Sequence, residues 1–291
     1  MFESVDDVLR PIRDKYVADR FAFINGSDMQ DIVSKLGATQ SDLEKLREVS
    51  DNLAPDPTLE FRESKNGRYY IDYEASEIIR TVQQPFVLSV AEDFKRHDSG
   101  QLRKFADIEN DLQGNTAFRA LLIFKAYMTY QTAVRQRPSL DYQTANWICT
   151  LFNLRVITRP GLIGEPALEG VHSDGVDHTM TTFLGSRNME KLAAKTRIHD
   201  VKEANGVRWN EAAPEYLLAE VQHSEFLDTL MIFDHERKHS VSPLMPEDPS
   251  DLARRDMLIF FTRKPAVEGH ISFEHDKRNP HSEYPLNVNL R

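Results

Sequence analysis

Cysteine is almost missing from this chain: Cys149 is the single one in 291 residues. A lone thiol excludes an intrachain disulfide framework and fits a reducing compartment. Positive charge is in deficit as well. Lys and Arg number 36 against 46 Asp and Glu, a net charge of −10, which argues against a nucleic-acid partner or an anionic membrane surface. No apolar run approaches the roughly 18–20 residues that a membrane span requires. The stretch Met1–Asp7 is acidic and lacks the basic-then-apolar layout of a signal peptide. Internal repeats and low-complexity tracts are missing too. The expectation is a soluble, cytoplasmic, globular protein, acting on a small molecule, with no membrane and no nucleic acid among its partners.

The texture of what is present changes near Pro138. Residues 1–20 have helical spacing through Val5, Val8, Leu9, Ile12 and Tyr16, with Ser4 as a cap. Arg20–Ile24 reads as a short strand. Ser27-Asp28-Met29-Gln30 reads as a capping box for a second helix that ends at Gly37, and Thr39 or Ser41 caps a third. Asn66-Gly67 suggests a hairpin turn, and Glu74–Arg80 a further helix limited by Pro85. The strongest helical pattern runs from Asn115 to Arg137. Phe118, Leu121, Leu122, Phe124 and Met128 make its apolar stripe, and Pro138 stops it.

Beyond Pro138 come eight short apolar segments: Trp147–Thr158, Leu168–Asp174, His178–Leu184, Thr196–Val201, Tyr216–Gln222, Thr229–Phe233, Ser240–Leu244 and Met257–Thr262. Short strands at this spacing predict a sandwich or barrel, and a β core of that kind calls for helices over one face. The expected fold class is α+β with a mainly β core. Residues 1–291 form a single catalytic domain in this reading, with 1–138 a mainly helical N-terminal layer and 139–291 the β core that carries the site.

The chemistry concentrates in Glu169-Gly170-Val171-His172-Ser173-Asp174-Gly175-Val176-Asp177-His178. His172 and Asp174 are two residues apart, so on a strand they share a face. Gly170 and Gly175 flank them, which suits a close approach of backbone or ligand. A His-x-Asp tripeptide is common by chance, so a third ligand has to be found. His223 follows a strand and is expected to be exposed. His235 belongs to the charged turn Asp234–Lys238. His239 heads the alternating segment Val241-x-Pro243 and is favoured over these and over His270. His172, Asp174 and His239 make a two-His-one-carboxylate triad, which leaves open positions on a non-haem Fe(II). Asp177 reads as a turn or supporting residue and His178 as the start of the next strand. Arg254 and Arg255 precede the apolar strand Met257–Phe261, and a guanidinium there can hold a carboxylate in a two-pronged pair. Adjacent strand residues face opposite ways, so one of the two enters the site. A strand buried on both faces does not show which.

Taken together, the run Glu169–Asp177, Arg187-Asn188, Asp228…Asp234…His239-x-Val241-x-Pro243 and Arg255-Asp256 resemble the Fe(II)/2-oxoglutarate dioxygenases that hydroxylate free L-amino acids, such as isoleucine or pipecolic acid. The resemblance extends from Asn153 to Phe261. It implies a double-stranded β-helix, a cupin-like jelly roll, with N-terminal helices packed on it. Fe(II) would be held by His172, Asp174 and His239, and 2-oxoglutarate by Arg255, with Arg254 as the alternative. O2 would be the oxidant, and hydroxylation of an unactivated C–H would be coupled to loss of succinate and CO2. Two departures stand out. Leu192-Ala193-Ala194 lies where the family often has a Gly-Gly pair, and Arg255-x-Met257 lacks the hydroxyl partner seen in an Arg-x-Ser clamp. A free amino acid also needs a cation for its carboxylate, for which Arg62, Arg68 and Arg155 are candidates. One of Tyr69 and Tyr70 could close an apolar pocket. Two other classes fit parts of the pattern. One is a cupin-type metalloenzyme without 2-oxoglutarate, against which the Asp174 carboxylate speaks. The other is a non-catalytic β-sandwich that binds a small molecule.

Overall fold

Strand alternation decides the architecture, because each long strand carries one apolar set for helices and another for a cavity. The computed structural model describes residues 2, 5–82, 87 and 100–290. Its strands are β1 (Phe21–Ile24), β2 (Ala54–Pro55), β3 (Arg62–Asp72), β4 (Glu77–Thr81), β5 (Ala106–Asp107), β6 (Trp147–Thr158) and β7 (His178–Arg187), followed by β8 (Thr196–His199), β9 (Leu217–Val221), β10 (Thr229–Phe233), β11 (Lys238–Val241), β12 (Ala253–Arg263) and β13 (Asn287–Asn289). The helices are α1 (Asp6–Asp19), α2 (Gly26–Lys35), α3 (Gln40–Leu46), α4 (Asn110–Gln113) and α5 (Thr116–Thr129). A major sheet runs β1-β10-β7-β12-β6-β3-β4-β13, with β2 and β5 beside β3. A minor sheet runs β11-β8-β9. The fold is a mainly antiparallel double-stranded β-helix with helices on one face of the major sheet.

Along β12, Leu258 and Phe260 join the core with α5, while Met257, Ile259 and Phe261 face the cavity between the sheets. Along β10, Met231 and Phe233 pack towards the helices and Leu230 and Ile232 towards the cavity. Helix α5 is apolar nearly all round, and eleven of its residues are buried. Asn115 caps it, accepting from the N–H groups of Ala117 and Phe118. The helix ends at Thr129 rather than Arg137. There the Thr129 and Thr132 hydroxyls donate to the carbonyls of Lys125 and Met128, which satisfies the end of the helix with side chains. Among the described residues, no helix is long and apolar enough to cross a membrane.

Several expectations are corrected. The Asn66-Gly67 pair is not a turn. Gly67 has no positive φ, and β3 runs straight through it in register with β6. The turn comes at Asp72–Glu77, where Ser76 takes a φ of 58°. Glu74–Arg80 therefore becomes part of a hairpin, with Glu77–Thr81 as strand instead of helix. Residues 1–138 are thus more than a helical layer, since β3 supplies the neighbour that β6 needs inside the sheet. Leu168–Asp174 is not a strand but a tightly held loop. Asn25, not Ser27, caps α2, accepting the Asp28 N–H at 3.0 Å. The Ser4 cap and Pro85 lie outside the described residues.

A lysine lies wholly inside this packing. Lys125 on α5 is fully buried, and its Nζ reaches the His178 carbonyl at 3.4 Å. Burial pushes its ammonium down to about 7. The folded state thus binds this proton less tightly than the unfolded chain, so the penalty is full below pH ~7 and vanishes as pH rises past the unfolded value of about 10.4. Lys125→Met is expected to stabilise the protein at neutral pH, with the gain shrinking between pH 7 and 10. Urea melts of both proteins across that range check this, and a gain that grows with pH would refute it.

Candidate active site

Two short segments from different parts of the chain meet at the cavity. The loop before β7 and strand β11 exchange backbone hydrogen bonds: His172 N–H donates to His239 O at 3.0 Å, and His239 N–H to His172 O at 2.9 Å. This lone antiparallel bridge fixes the two imidazoles beside each other, ring centroids 4.3 Å apart. Asp174 completes the group. Its Oδ1 lies 3.4 Å from His172 Nε2 and its Oδ2 3.5 Å from His239 Nε2. All three residues are buried, and their ligand atoms lie within 4.8 Å of one another. Donors about 2.1 Å from a shared first-row ion and at right angles to each other stand about 3 Å apart, so the cluster needs only slight closure around an ion.

The loop is held from every side. Val171 N–H donates to Val207 O at 2.8 Å and Gly206 N–H to Val171 O at 2.8 Å, so the 206–207 segment straps it down. Gly170 makes this approach possible: its φ is +80°, and a Cβ there would lie 2.4 Å from Val207 O. The Gly170 carbonyl sits 2.8 Å from His172 Nδ1, which turns Nε2 towards Asp174. Thr179 Oγ1 donates to Asp174 Oδ2 at 2.9 Å. Behind the loop, buried Asp177 accepts from Tyr142 Oη at 2.7 Å and from Lys264 N–H at 3.0 Å.

Electrostatics favour a cation here. Burial disfavours charge on Asp174, yet His239, His172 and Thr179 outweigh it and draw the carboxyl down to about 2. Burial likewise opposes a charged His172, but the carboxylates of Glu169 and Asp174 push it up to about 10. His239, buried beside His172, falls to about 4. Asp234 is pushed well above the usual carboxylate range, by burial first and by Asp174 second. Two imidazoles among this many carboxylates form a nest in which a divalent ion can take the place of a proton. The donor set of two nitrogens and one carboxylate oxygen is that of a site with open positions for other ligands.

Parity sorts the arginines of β12 and β6, and long-range pairing turns Arg68 away. Arg255 lines the cavity on the same face of β12 as Met257, Ile259 and Phe261. It is buried, and its Nε has no hydrogen-bond partner among the described residues. Burial lowers it to about 10, partly offset by Asp256, so it stays cationic at neutral pH. Arg254 points outwards and pairs with Asp51 at 3.3 Å. Arg155 is on the outer face as well, paired with Asp256 at 2.7 Å and Asp51 at 3.1 Å, and does not line the cavity. Arg68 is turned to the His275 carbonyl and Asp276, also away from it. Arg62 does line it, as do Arg103 and Glu169, neither of which the sequence reading proposed for the site. Neither Tyr69 nor Tyr70 lines it. His223 is buried rather than exposed, 3.1 Å from Thr181 Oγ1, with burial and nearby Arg255 lowering it to about 3.

The strap yields a test. Gly170→Ala places a Cβ against Val207 O in a left-handed conformation, a loss of at least about 1–3 kcal/mol in stability. Gly206→Ala has the same φ problem but meets nothing nearer than 4.0 Å, so it is expected to lose less. Denaturant melts rank the two. Equal losses would show that the strap does not constrain the loop.

Known proteins resemble this chain in sequence and fold. Residues 47–261 match the family model described as 2OG-Fe dioxygenase. The bifunctional enzyme flvA of Aspergillus flavus is 44% identical over 279 residues, 96% of this chain, although the chain spans only 34% of that protein's length. A solved structure described as the Fe(II)/(alpha)ketoglutarate-dependent dioxygenase TqaL superposes with a TM-score of 0.86 at 43% identity, covering 99% of this chain and 97% of that one. A bsmA homolog from Methylobium petroleophilum shares the fold, with a TM-score of 0.70 at 20% identity over 88% of this chain and 92% of its own. The family match contains His172, Asp174, His239 and Arg255 together with strands of both sheets, and by it this chain belongs to the 2OG-Fe dioxygenases, enzymes that use Fe(II), 2-oxoglutarate and O2.

Proposed function

We propose that this chain hydroxylates an unactivated C–H of a free L-amino acid, with residues 1–291 acting as one catalytic unit. Branched-chain and cyclic imino acids such as isoleucine and pipecolic acid are the substrates in view. In this reading His172, Asp174 and His239 hold Fe(II). The bound iron supplies oxidative chemistry in which 2-oxoglutarate and O2 give succinate, CO2 and one oxygen atom for the substrate. The protein's own part is placement and exclusion of water. Arg255 takes the distal carboxylate of 2-oxoglutarate, and the observation that carries this assignment is its buried guanidinium on the cavity face of β12. Arg62 takes the substrate carboxylate. Of the three arginines named for that task, it is the one that lines the cavity. Phe152, Leu154, Ile232 and Ile259 make an apolar wall that suits an aliphatic side chain more than a polar one.

Succinate release decides this reading. Purified protein with Fe(II) is expected to form succinate quickly only when 2-oxoglutarate and a suitable amino acid are both present. The hydroxylated amino acid should appear in equal amount. A panel of free amino acids that never accelerates succinate formation would reject the amino-acid substrate. His172→Ala, Asp174→Ala and His239→Ala are each expected to abolish turnover with the fold retained, while His235→Ala stays active. Normal activity in any of the first three removes that residue from the metal site.

The anchor has its own test. Arg255→Ala leaves a buried carboxylate without its partner, which costs roughly 2–5 kcal/mol and raises the 2-oxoglutarate requirement at least about tenfold. Arg255→Lys recovers part of this, because an ammonium lacks the two-pronged geometry. Arg254→Ala is expected to change little. Titrations of 2-oxoglutarate against the three variants, with metal content measured alongside, check the ranking. An unchanged requirement in Arg255→Ala sinks it.

A further inference from the structure

Asp234 sits where β10 gives way to the turn before β11, and it is fully buried. Its two carboxylate oxygens face two different ligand-bearing segments. Oδ2 accepts the Asp174 N–H at 2.6 Å. Oδ1 lies 3.7 Å from His239 Nδ1, and neither of these two buried atoms has a hydrogen-bond partner among the described residues. A buried polar atom without a partner is costly, so two of them facing each other across a small gap need an explanation.

A bound ion supplies it. The other ring nitrogen of His239, Nε2, is the one turned towards Asp174. An imidazole that gives Nε2 to a metal carries its proton on Nδ1. That proton faces Asp234 Oδ1 across 3.7 Å, and a slight closure of this gap satisfies both orphaned atoms. Asp234 is also braced from behind: its own N–H donates to Asp177 O at 3.1 Å, and Asp177 is held by Tyr142 and Lys264. The backbone that carries the carboxylate is therefore held by the protein frame.

We propose that Asp234 is a positioning residue for the metal centre. One oxygen holds the backbone of Asp174, and the other sets His239 in the Nδ1–H tautomer with Nε2 presented to the metal. The proposal rests on His172, Asp174 and His239 being the ligands. Both tasks need an acceptor, so Asn cannot perform them together: its amide nitrogen would face one of the two N–H groups, donor against donor.

Anaerobic titration of the metal-free protein with Co(II), followed by the visible absorption of the bound ion, tests this. Asp234→Asn is expected to weaken Co(II) binding by about 10–100-fold and to alter the absorption envelope. Circular dichroism of the metal-free variant should match wild type. Wild-type affinity with an unchanged spectrum would overturn the proposal. Should the variant fail to fold, nitrogen-15 spectra of histidine-labelled wild type loaded with Zn(II) give the answer. A protonated, exchange-protected Nδ1 on His239 is expected, and an Nδ1 without a proton overturns the proposal. His239→Ala separates the two levels of inference. If it leaves Co(II) affinity intact, the ligand assignment itself fails. If it abolishes binding while Asp234→Asn does not, only the role of Asp234 fails.

Discussion

Two backbone hydrogen bonds, exchanged between His172 and His239, are the constraint on which the rest of this site depends. They tie a loop that leads into the major sheet to a strand of the minor sheet. Without them the two imidazoles would belong to separate parts of the molecule. With them, the rings stand 4.3 Å apart and Asp174 falls between them. A loop in this position has no ladder of its own, so its order comes from outside. The 206–207 strap, the Asp234 carboxylate and the Asp177 network supply it. Each contact is modest by itself, on the order of 1 kcal/mol. Their value is that they leave the loop a single arrangement before any ion arrives.

The major sheet does two jobs because its strands are two-faced. One face packs on α1, α2, α3 and α5 through residues such as Met231, Phe233, Leu258 and Phe260. The other lines the cavity with their neighbours. Helix α5 packs on the first face, with Phe118 against Tyr69 and Phe260. Pairing with β3 is as necessary as the helices. β6 is flanked by β12 on one side and β3 on the other, so part of the barrel wall comes from the N-terminal half.

Buried charge follows one logic throughout. Arg155 and Asp256 are both buried and paired with each other on the outer face. Among the described residues Lys125 has no such partner, and burial lowers its affinity for a proton. Asp174 and Glu169 on the cavity wall, with buried Asp234 beside them, gather around two imidazoles, an arrangement that favours positive charge. Arg255 is the opposite case, a buried cation facing a space large enough for an anion. The cavity therefore shows both signs of charge, carboxylates at the imidazole pair and a guanidinium on β12, as a metal and a dicarboxylate would require.

The sequence by itself determined the elements whose signals are local. Trp147–Thr158 is read to the residue, because a long β-branched and aromatic run needs no context. The apolar stripe of α5 identifies it, though not its end, which side-chain hydrogen bonds at Thr129 and Thr132 decide. The His172, Asp174 and His239 set was legible as residue types at a suggestive spacing, and the structure brings these three together. The reason first given for the pairing was incomplete, since His172 and Asp174 share no strand and are oriented by a strapped loop. What only the tertiary structure decided is which way things point. Alternation alone leaves Arg254 and Arg255 equivalent; the family resemblance favours Arg255, and the register of β12 against β6 and β7 puts that one on the cavity face. Arg155 and Arg68 looked as suitable as Arg62 until parity and long-range pairing turned them away from the cavity. Asn66-Gly67 reads as a turn locally, and pairing with β6 holds it extended. Asp234 is marked in the sequence only as part of the family resemblance, and nothing local shows its two contacts across the fold, one to the Asp174 backbone and one towards His239. Propensity and alternation are written within a few residues, whereas facing direction is set by the neighbouring strand, and that neighbour is chosen only when the chain has closed.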